Sequence, residues 1–294
     1  MERIIKVIND YRLDAGFLDN SFSCDIRRRP AGREVRVVSN LDIFSGKDKT
    51  EIAIERIKAF EPSEGYYVAF SGGKDSVVIL DLVKRANVKF DAHYNITGID
   101  PPELYYFIRD NFPGVERHRP ETTIWKLIEK KMMPPTRRVR YCCEYLKERG
   151  GVDRKVVTGI RWAESRRRSK RRIVEACFRN SHKFYVNPII DWTYEDVWKY
   201  IKTREVAYCS LYDEGFKRLG CIGCPMVGRD ARIKEFKRWP KYEMLYKRAF
   251  DKIAITGTDA NRLLHWKNGE DVFRWWMEED KHTKQDCDQT VMFE

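Results

Sequence analysis

The 294-residue sequence contains no apolar run approaching the roughly 20 residues that cross a membrane, although 42% of it is hydrophobic and 13% aromatic. A membrane span is excluded, while a full core is within reach of a chain this long. The opening stretch, MERIIKVINDYRLD, carries acidic residues and lacks the apolar segment of a secretory signal, so a cytoplasmic location is expected. Internal repeats and low-complexity segments are also missing, which leaves one α/β domain with terminal additions as the expected organisation. A disulfide framework is not expected in a cytosolic chain of this size. The eight cysteines, at 24, 142, 143, 177, 209, 221, 224 and 287, therefore point by their clustering to metal or redox chemistry.

Positive charge is abundant. The formal net charge is +12, with clusters at Arg27-Arg28-Arg29, at Arg137, Arg138 and Arg140, and from Arg166 to Arg172. Such clusters attract polyanions, phosphates and nucleic acid included, although any one of them also suits a solvated face.

Residues 1–60 are charged and turn-rich, with a helical run at 51–60, and are read as an N-terminal extension. Tyr66-Tyr67-Val68-Ala69-Phe70 is a short strand-like run. It feeds a glycine loop and then a near-continuous apolar helix from Val77 to Val83. A strand at 90–96, helices at 102–111 and 123–131, and a β-branched run at 155–160 follow. Strands alternating with helices predict a doubly wound, mostly parallel sheet. Thr193 caps a helix at 193–202, and 231–255 and 270–279 read as amphipathic helices. The expected division is 1–60, an α/β domain at 61–226, and a helical C-terminal extension at 227–294.

Between the first strand and its helix lies Ser71-Gly72-Gly73-Lys74-Asp75-Ser76. Its glycines allow positive φ and bring backbone N–H groups close to an anion, and the helix N-terminus adds partial positive charge. Lys74 supplies a full charge, Ser71 and Ser76 supply hydroxyls, and Asp75 is placed to hold magnesium or to cap the loop. The segment is no Walker A loop: Val68 stands where the first glycine belongs, and Asp75 follows the lysine.

Cys221-Ile222-Gly223-Cys224 lets two thiolates face one metal, and Cys142-Cys143 is an adjacent pair about 80 residues earlier. Four thiolates suit zinc or an iron–sulfur cluster. Adjacent cysteines are unusual for zinc, and buried, unligated thiols are the third reading. Arg161, at the end of the 155–160 run, and Arg168 are candidates for phosphate or sulfate contacts, with an ion pair to Glu164 as the structural alternative. Trp192 and Trp198 are expected in the core.

The 71–76 loop resembles the pyrophosphate loop of the adenine-nucleotide α-hydrolase-like superfamily, whose members cleave ATP between the α and β phosphates. Tyr141-Cys142-Cys143-Glu144, Leu211 to Phe216 and Gly220 to Cys224 together resemble the bacterial and plant adenylyl-sulfate reductases, in which such cysteines hold a [4Fe-4S] cluster beside the nucleotide. Asn187 to Trp192 with Glu195 to Trp198, and Gly159-Ile160-Arg161 with Glu164, Ser165 and Arg168, resemble the same sulfonucleotide reductase family. The similarity runs from about residue 66 to 226. It implies a fold of adenine-nucleotide α-hydrolase-like type, with ATP, Mg2+ and the cluster as cofactors and Cys142, Cys143, Cys221 and Cys224 as cluster ligands. Nucleotide binding is implied for Ser71, Gly72, Gly73, Lys74, Asp75, Ser76, Arg161 and Arg168, and catalysis for Lys74, Asp75 and Arg161. Asp100 lies where the family contacts the nucleotide.

The resemblance fails at one point. Those reductases attack sulfur with a cysteine in a Glu-Cys-Gly-Leu/Ile-His motif, which these 294 residues do not contain. The nearest substitute, Cys287, is flanked by Asp286 and Asp288, which raise a thiol's pKa and weaken it as a nucleophile. The expectation shifts to the family's other branch, the ATP pyrophosphatase and sulfurtransferase proteins of DNA phosphorothioation and related nucleic-acid thiolation. A cysteine desulfurase is then the expected sulfur donor and nucleic acid the acceptor, DNA before tRNA, with room for an oligomer. Sulfite release by a sulfonucleotide reductase, and a non-catalytic cluster protein that binds nucleic acid or scaffolds a partner, are the alternatives.

Overall fold

A computed structural model describes residues 47–177, 180–255 and 266–285. The Arg27-Arg28-Arg29 cluster, Cys24, Cys287 and most of the 1–60 segment lie outside the described residues. Six strands form one sheet: β1 (Tyr66–Phe70), β2 (Phe90–Asn95), β3 (Glu116–His118), β4 (Lys155–Val157), β5 (Val174–Cys177) and β6 (Asn180–Val186). Their spatial order is β3-β2-β1-β4-β6-β5; all neighbours are parallel except the edge pair β5/β6. This is the α/β fold expected, a mostly parallel sheet with helices.

β1 sits at the centre, paired to β2 on one side and β4 on the other. Four of its five residues are buried, so it reads as a continuous apolar run rather than an alternating one. Helix α1 (Lys49–Ala59) packs against α2 (Lys74–Ala86), and its buried Arg56 forks onto both oxygens of Asp191, at 2.8 and 2.9 Å. That anchor binds the 47–60 segment to the domain. Asp48 caps α1, Thr123 caps α4 (Ile124–Lys131) and Thr193 caps α6 (Tyr194–Thr203), each accepting from a first-turn N–H. Helix α3 (Pro102–Asn111) begins, as expected, with its proline at the first helical position.

The sequence expectations needed three corrections. The 155–160 run pairs as strand only over Lys155–Val157, because the chain then leaves the sheet to bring Gly159 against Asp75. The 231–255 run is two helices, α7 (Arg229–Arg238) and α8 (Pro240–Ile255). Pro240 disfavours helical geometry at Trp239, whose φ of −128° and ψ of 68° end the first helix. The β5/β6 hairpin was missed. Its strands are half-exposed and rich in polar residues, so they lack an apolar period.

Helix α9 (Gly269–Gln285) packs with α7 and α8 around fully buried Trp276, Tyr246 and Phe250. These side chains belong to the same core cluster as the sheet residues. Among the described residues, no helix is long and apolar enough to cross a membrane.

Candidate active site

The loop is closed by its own side chains. Ser76 Oγ accepts from Ser71 N and Ser71 Oγ, both at 3.2 Å, and donates to Gly73 O at 2.9 Å. Gly72 has φ +70°, and a Cβ there would lie 2.7 Å from Ile108 Cδ1 and 2.8 Å from Leu104 Cδ1. Only glycine satisfies both the conformation and the space. Gly73 keeps a negative φ of −72° as the N-cap of α2, so one of the two glycines supplies the positive φ. Its cap makes no side-chain bond. Instead the Lys74 N–H donates 2.8 Å to the hydroxyl of Tyr212, from a short 3-10 turn at Ser210–Tyr212. The sequence motif 211–216 was singled out without this role; nothing local signals it, because the partner is 138 residues away.

Lys74 and Arg161 are both buried, at 5% and 3% exposure, and Asp75 joins them. Lys74 Nζ lies 2.8 Å from Asp75 Oδ2, and Arg161 Nε donates 2.8 Å to Asp75 Oδ1. Arg161 Nη1 also donates to Trp192 O at 3.3 Å. The structural alternative, a side-chain pair with Glu164, is not made by Arg161, whose guanidinium goes to Asp75. Glu164 instead accepts from the Arg161 backbone N–H at 3.0 Å and pairs with the Arg168 guanidinium. Both oxygens of Asp75 are engaged by cations, which makes it the group that positions the two positive charges behind the loop. Trp192 is buried, as expected.

In front of the loop lies a cavity of about 350 Å³. Ser71, Asp100 and Arg168 line it, and so do Cys142, Cys143, Cys221 and Cys224. The segment Tyr141–Leu146 is a one-and-a-half-turn helix, α5, which puts the adjacent pair in its first turn. The other two thiols sit on a turn in which Cys224 N donates to Cys221 O at 3.2 Å and Gly223 has φ +71°. A Cβ on Gly223 would lie 2.6 Å from Phe236, 3.1 Å from Tyr246 and 3.2 Å from Trp276. The turn is seated directly on α7, α8 and α9. Tyr246 donates to Ile222 O at 3.1 Å, and Gly223 N donates to Glu235 at 2.8 Å. Burial pushes the Glu235 carboxyl up to about 7, against the opposing effect of that N–H.

Electrostatics divides the cysteines: it favours the thiolate at Cys143 and the neutral thiol at Cys142 and Cys221. The bond between Cys142 and Cys143 holds Cys143 well below the usual thiol range, with Arg140 Nη2 adding at 3.3 Å from its sulfur; the same bond and burial push Cys142 up. Burial raises Cys221 to about 12, opposed by the neighbouring Lys147 ammonium. Burial pushes that ammonium down, but Cys221 and Asp100 more than offset this and keep it charged. Lys147 was not singled out from sequence, and Arg140 was read there only as part of a basic cluster. Their signal was helical spacing, since Lys147 lies one turn beyond Cys143.

The four thiols on this cavity are a donor set that suits zinc or an iron–sulfur cluster.

A family model described as the phosphoadenosine phosphosulfate reductase domain matches residues 65–227. An uncharacterised protein of Methanocaldococcus jannaschii is 34% identical over 227 residues, covering 68% of this chain and 45% of that protein. The chain thus spans about half the length of this relative and of a second from the same organism, of which it covers 51%. The adenosine 5′-phosphosulfate reductase of Oceanobacillus iheyensis is 26% identical over 182 residues, covering 58% of this chain and 75% of the reductase. Among solved structures, the phosphoadenylyl-sulfate reductase of Candida auris in complex with phosphate matches at a TM-score of 0.46 and 20% identity, over 61% of this chain and 90% of that one.

Proposed function

The chain belongs to the phosphoadenosine phosphosulfate reductase domain family, and within it we propose an ATP pyrophosphatase and sulfurtransferase that adenylates an acceptor oxygen and supports its replacement by sulfur. The observation that carries this reading is the single cavity shared by Ser71 of the loop and the four cysteines. Relatives named adenosine 5′-phosphosulfate reductase support an adenylyl nucleotide as the ligand.

ATP would enter with its phosphates at the loop and the N-terminus of α2. The acceptor oxygen attacks the α-phosphorus, the bridging bond to the β-phosphate breaks, and pyrophosphate leaves. Lys74, turned from Asp75 towards the phosphates, and the loop N–H groups offset the charge that grows on the departing pyrophosphate. Arg161 keeps Asp75 neutralised while Lys74 does so. Magnesium would accompany the triphosphate and offset its negative charge. Hydrosulfide, derived from a cysteine desulfurase persulfide by a thiol reductant, then forms a bond to the adenylated centre, and AMP departs. Cys142, Cys143, Cys221 and Cys224 would hold a [4Fe-4S] cluster, which supplies a binding and redox centre for sulfur when present. Arg140 and Lys147 offset the negative charge of those thiolates. Arg166, Arg167, Lys170 and Arg172 are exposed beside the cavity residue Arg168, and this basic segment suits a nucleic-acid acceptor, DNA before tRNA.

Incubation with ATP and magnesium should release AMP and pyrophosphate, and Lys74→Ala should suppress both. Release of ADP and phosphate would sink the proposal. The relatives' names favour sulfite release from a sulfonucleotide as the second reading; it requires thiol-dependent sulfite formation that Cys287→Ser abolishes.

A further inference from the structure

At the β2/β3 edge of the sheet, three ligand atoms converge across two parallel strands. His93 of β2 lies in register with Glu116 of β3, and Asn95 with His118. Residues two apart on a strand share a face, so Glu116 and His118 both reach towards His93. His93 Nδ1 is 2.7 Å from His118 Nε2 and 3.3 Å from Glu116 Oε2, and His118 Nε2 is 3.7 Å from the same carboxylate oxygen. A tetrahedral ion with ligands at about 2.0–2.1 Å sets its donor atoms about 3.3 Å apart, which these three sides bracket.

The central histidine is already fixed for the task. His93 Nε2 bonds the carboxylate of Asp91, and a carboxylate only accepts, so that nitrogen carries the proton. In the neutral ring Nδ1 is then a bare lone pair that faces the Glu116 carboxylate, another acceptor. His118 offers at most one hydrogen from its facing nitrogen, and a cation between the three groups would satisfy all of them at once. Asp91 is itself held by Arg154, at 2.5 and 2.7 Å, and the Tyr67 ring stacks on His93 at 4.1 Å with an interplanar angle of 5°. A carboxylate on the far nitrogen of a ligating histidine is the usual support of a metal-bound imidazole.

We infer that His93, Glu116 and His118 form a second metal site, with ligands other than the cysteines although His93 lines the same cavity, which takes a divalent cation of the zinc class. His93 is buried, whereas Glu116 and His118 are exposed, so the fourth position opens to solvent. An ion there ties the three-residue edge strand β3 to β2, the strand whose end lines the cavity.

The test compares cluster-loaded wild-type protein with His118→Ala and Glu116→Gln, so that any metal on the cysteines is common to all three. Zn2+ alone is the titrant for calorimetry and thermal melting, and Co2+ for absorption spectroscopy. His118→Ala is expected to bind one Zn2+ fewer and to lose the zinc-dependent rise in melting temperature. Glu116→Gln, which preserves shape on an exposed edge, is expected to weaken binding at least about tenfold, and Asp91→Asn about 10–100-fold. Co2+ in the wild type should add weak visible bands without intense near-ultraviolet sulfur charge transfer. Equal Zn2+ stoichiometry and affinity in wild type and both exposed variants would overturn the proposal. So would Co2+ uptake accompanied only by sulfur charge transfer.

Discussion

The phosphate loop and the cysteine wall border the same cavity but are built differently. The loop is local: six consecutive residues lace themselves together through Ser76, and Tyr212 and Arg161 add hydrogen bonds from far along the chain. The cysteine wall is assembled. One pair rides on a short helix, the other on a turn whose shape depends on Phe236, Tyr246 and Trp276 of the last three helices. A locally closed motif carries its own geometry. An assembled one is only as firm as the packing beneath it.

The sharpest way to break the comparison is Trp276→Ala. The indole is fully buried, donates to Pro135 O at 2.7 Å and lies under Gly223. Its removal should cost about 3–5 kcal/mol by denaturant unfolding. Iron retention should fall with it, while the protein that remains folded still binds ATP. If ATP binding and iron are lost together, the two walls are one mechanical unit and the contrast fails.

Lys74→Ala should lower the rate of AMP release about 10²–10³-fold, the range for removing one preorganised charge-stabilising donor. Iron content should not change, as measured by metal analysis of the same preparation. Gly72→Ala places a methyl against Ile108 and Leu104 at positive φ. It should cost about 1–3 kcal/mol in urea unfolding and weaken ATP binding, again with the cysteines intact.

Tyr212→Phe is the smallest and most diagnostic change. The Lys74 N–H loses its acceptor, which should cost about 1 kcal/mol. Added pyrophosphate should cancel part of that loss, because an anion at the helix N-terminus takes over the N–H. The readout is the difference in melting temperature between wild type and variant, with and without pyrophosphate.

The same contrast explains what the sequence disclosed. Ser71 to Ser76, the central strand and the first helix of the sheet were readable, because strand, glycine turn and apolar helix are neighbours in the chain. The sharing of one cavity by Cys142, Cys143, Cys221 and Cys224 was suggested by spacing and resemblance, not by any local pattern. The Asp75 bridge between Lys74 and Arg161 went unseen, since a side chain's partner across the fold leaves no periodic trace, and Arg140 was read only as part of a basic cluster. The polar β5/β6 hairpin and the break at Pro240 were missed for a similar reason: packing outweighed local pattern in the first, and a single proline interrupted an otherwise helical run in the second.

The central claim is that nucleotide loop and cysteine wall form one site, and the most direct measurement is the optical spectrum of anaerobically purified protein during an ATP titration, with iron and sulfide assayed on the same sample. The account predicts iron and sulfide in equal amounts, about four of each per chain, and a cluster absorption that changes saturably as ATP fills the cavity. A colourless, zinc-bearing protein, or a cluster spectrum unmoved by ATP shown to be bound in the same sample, would contradict it.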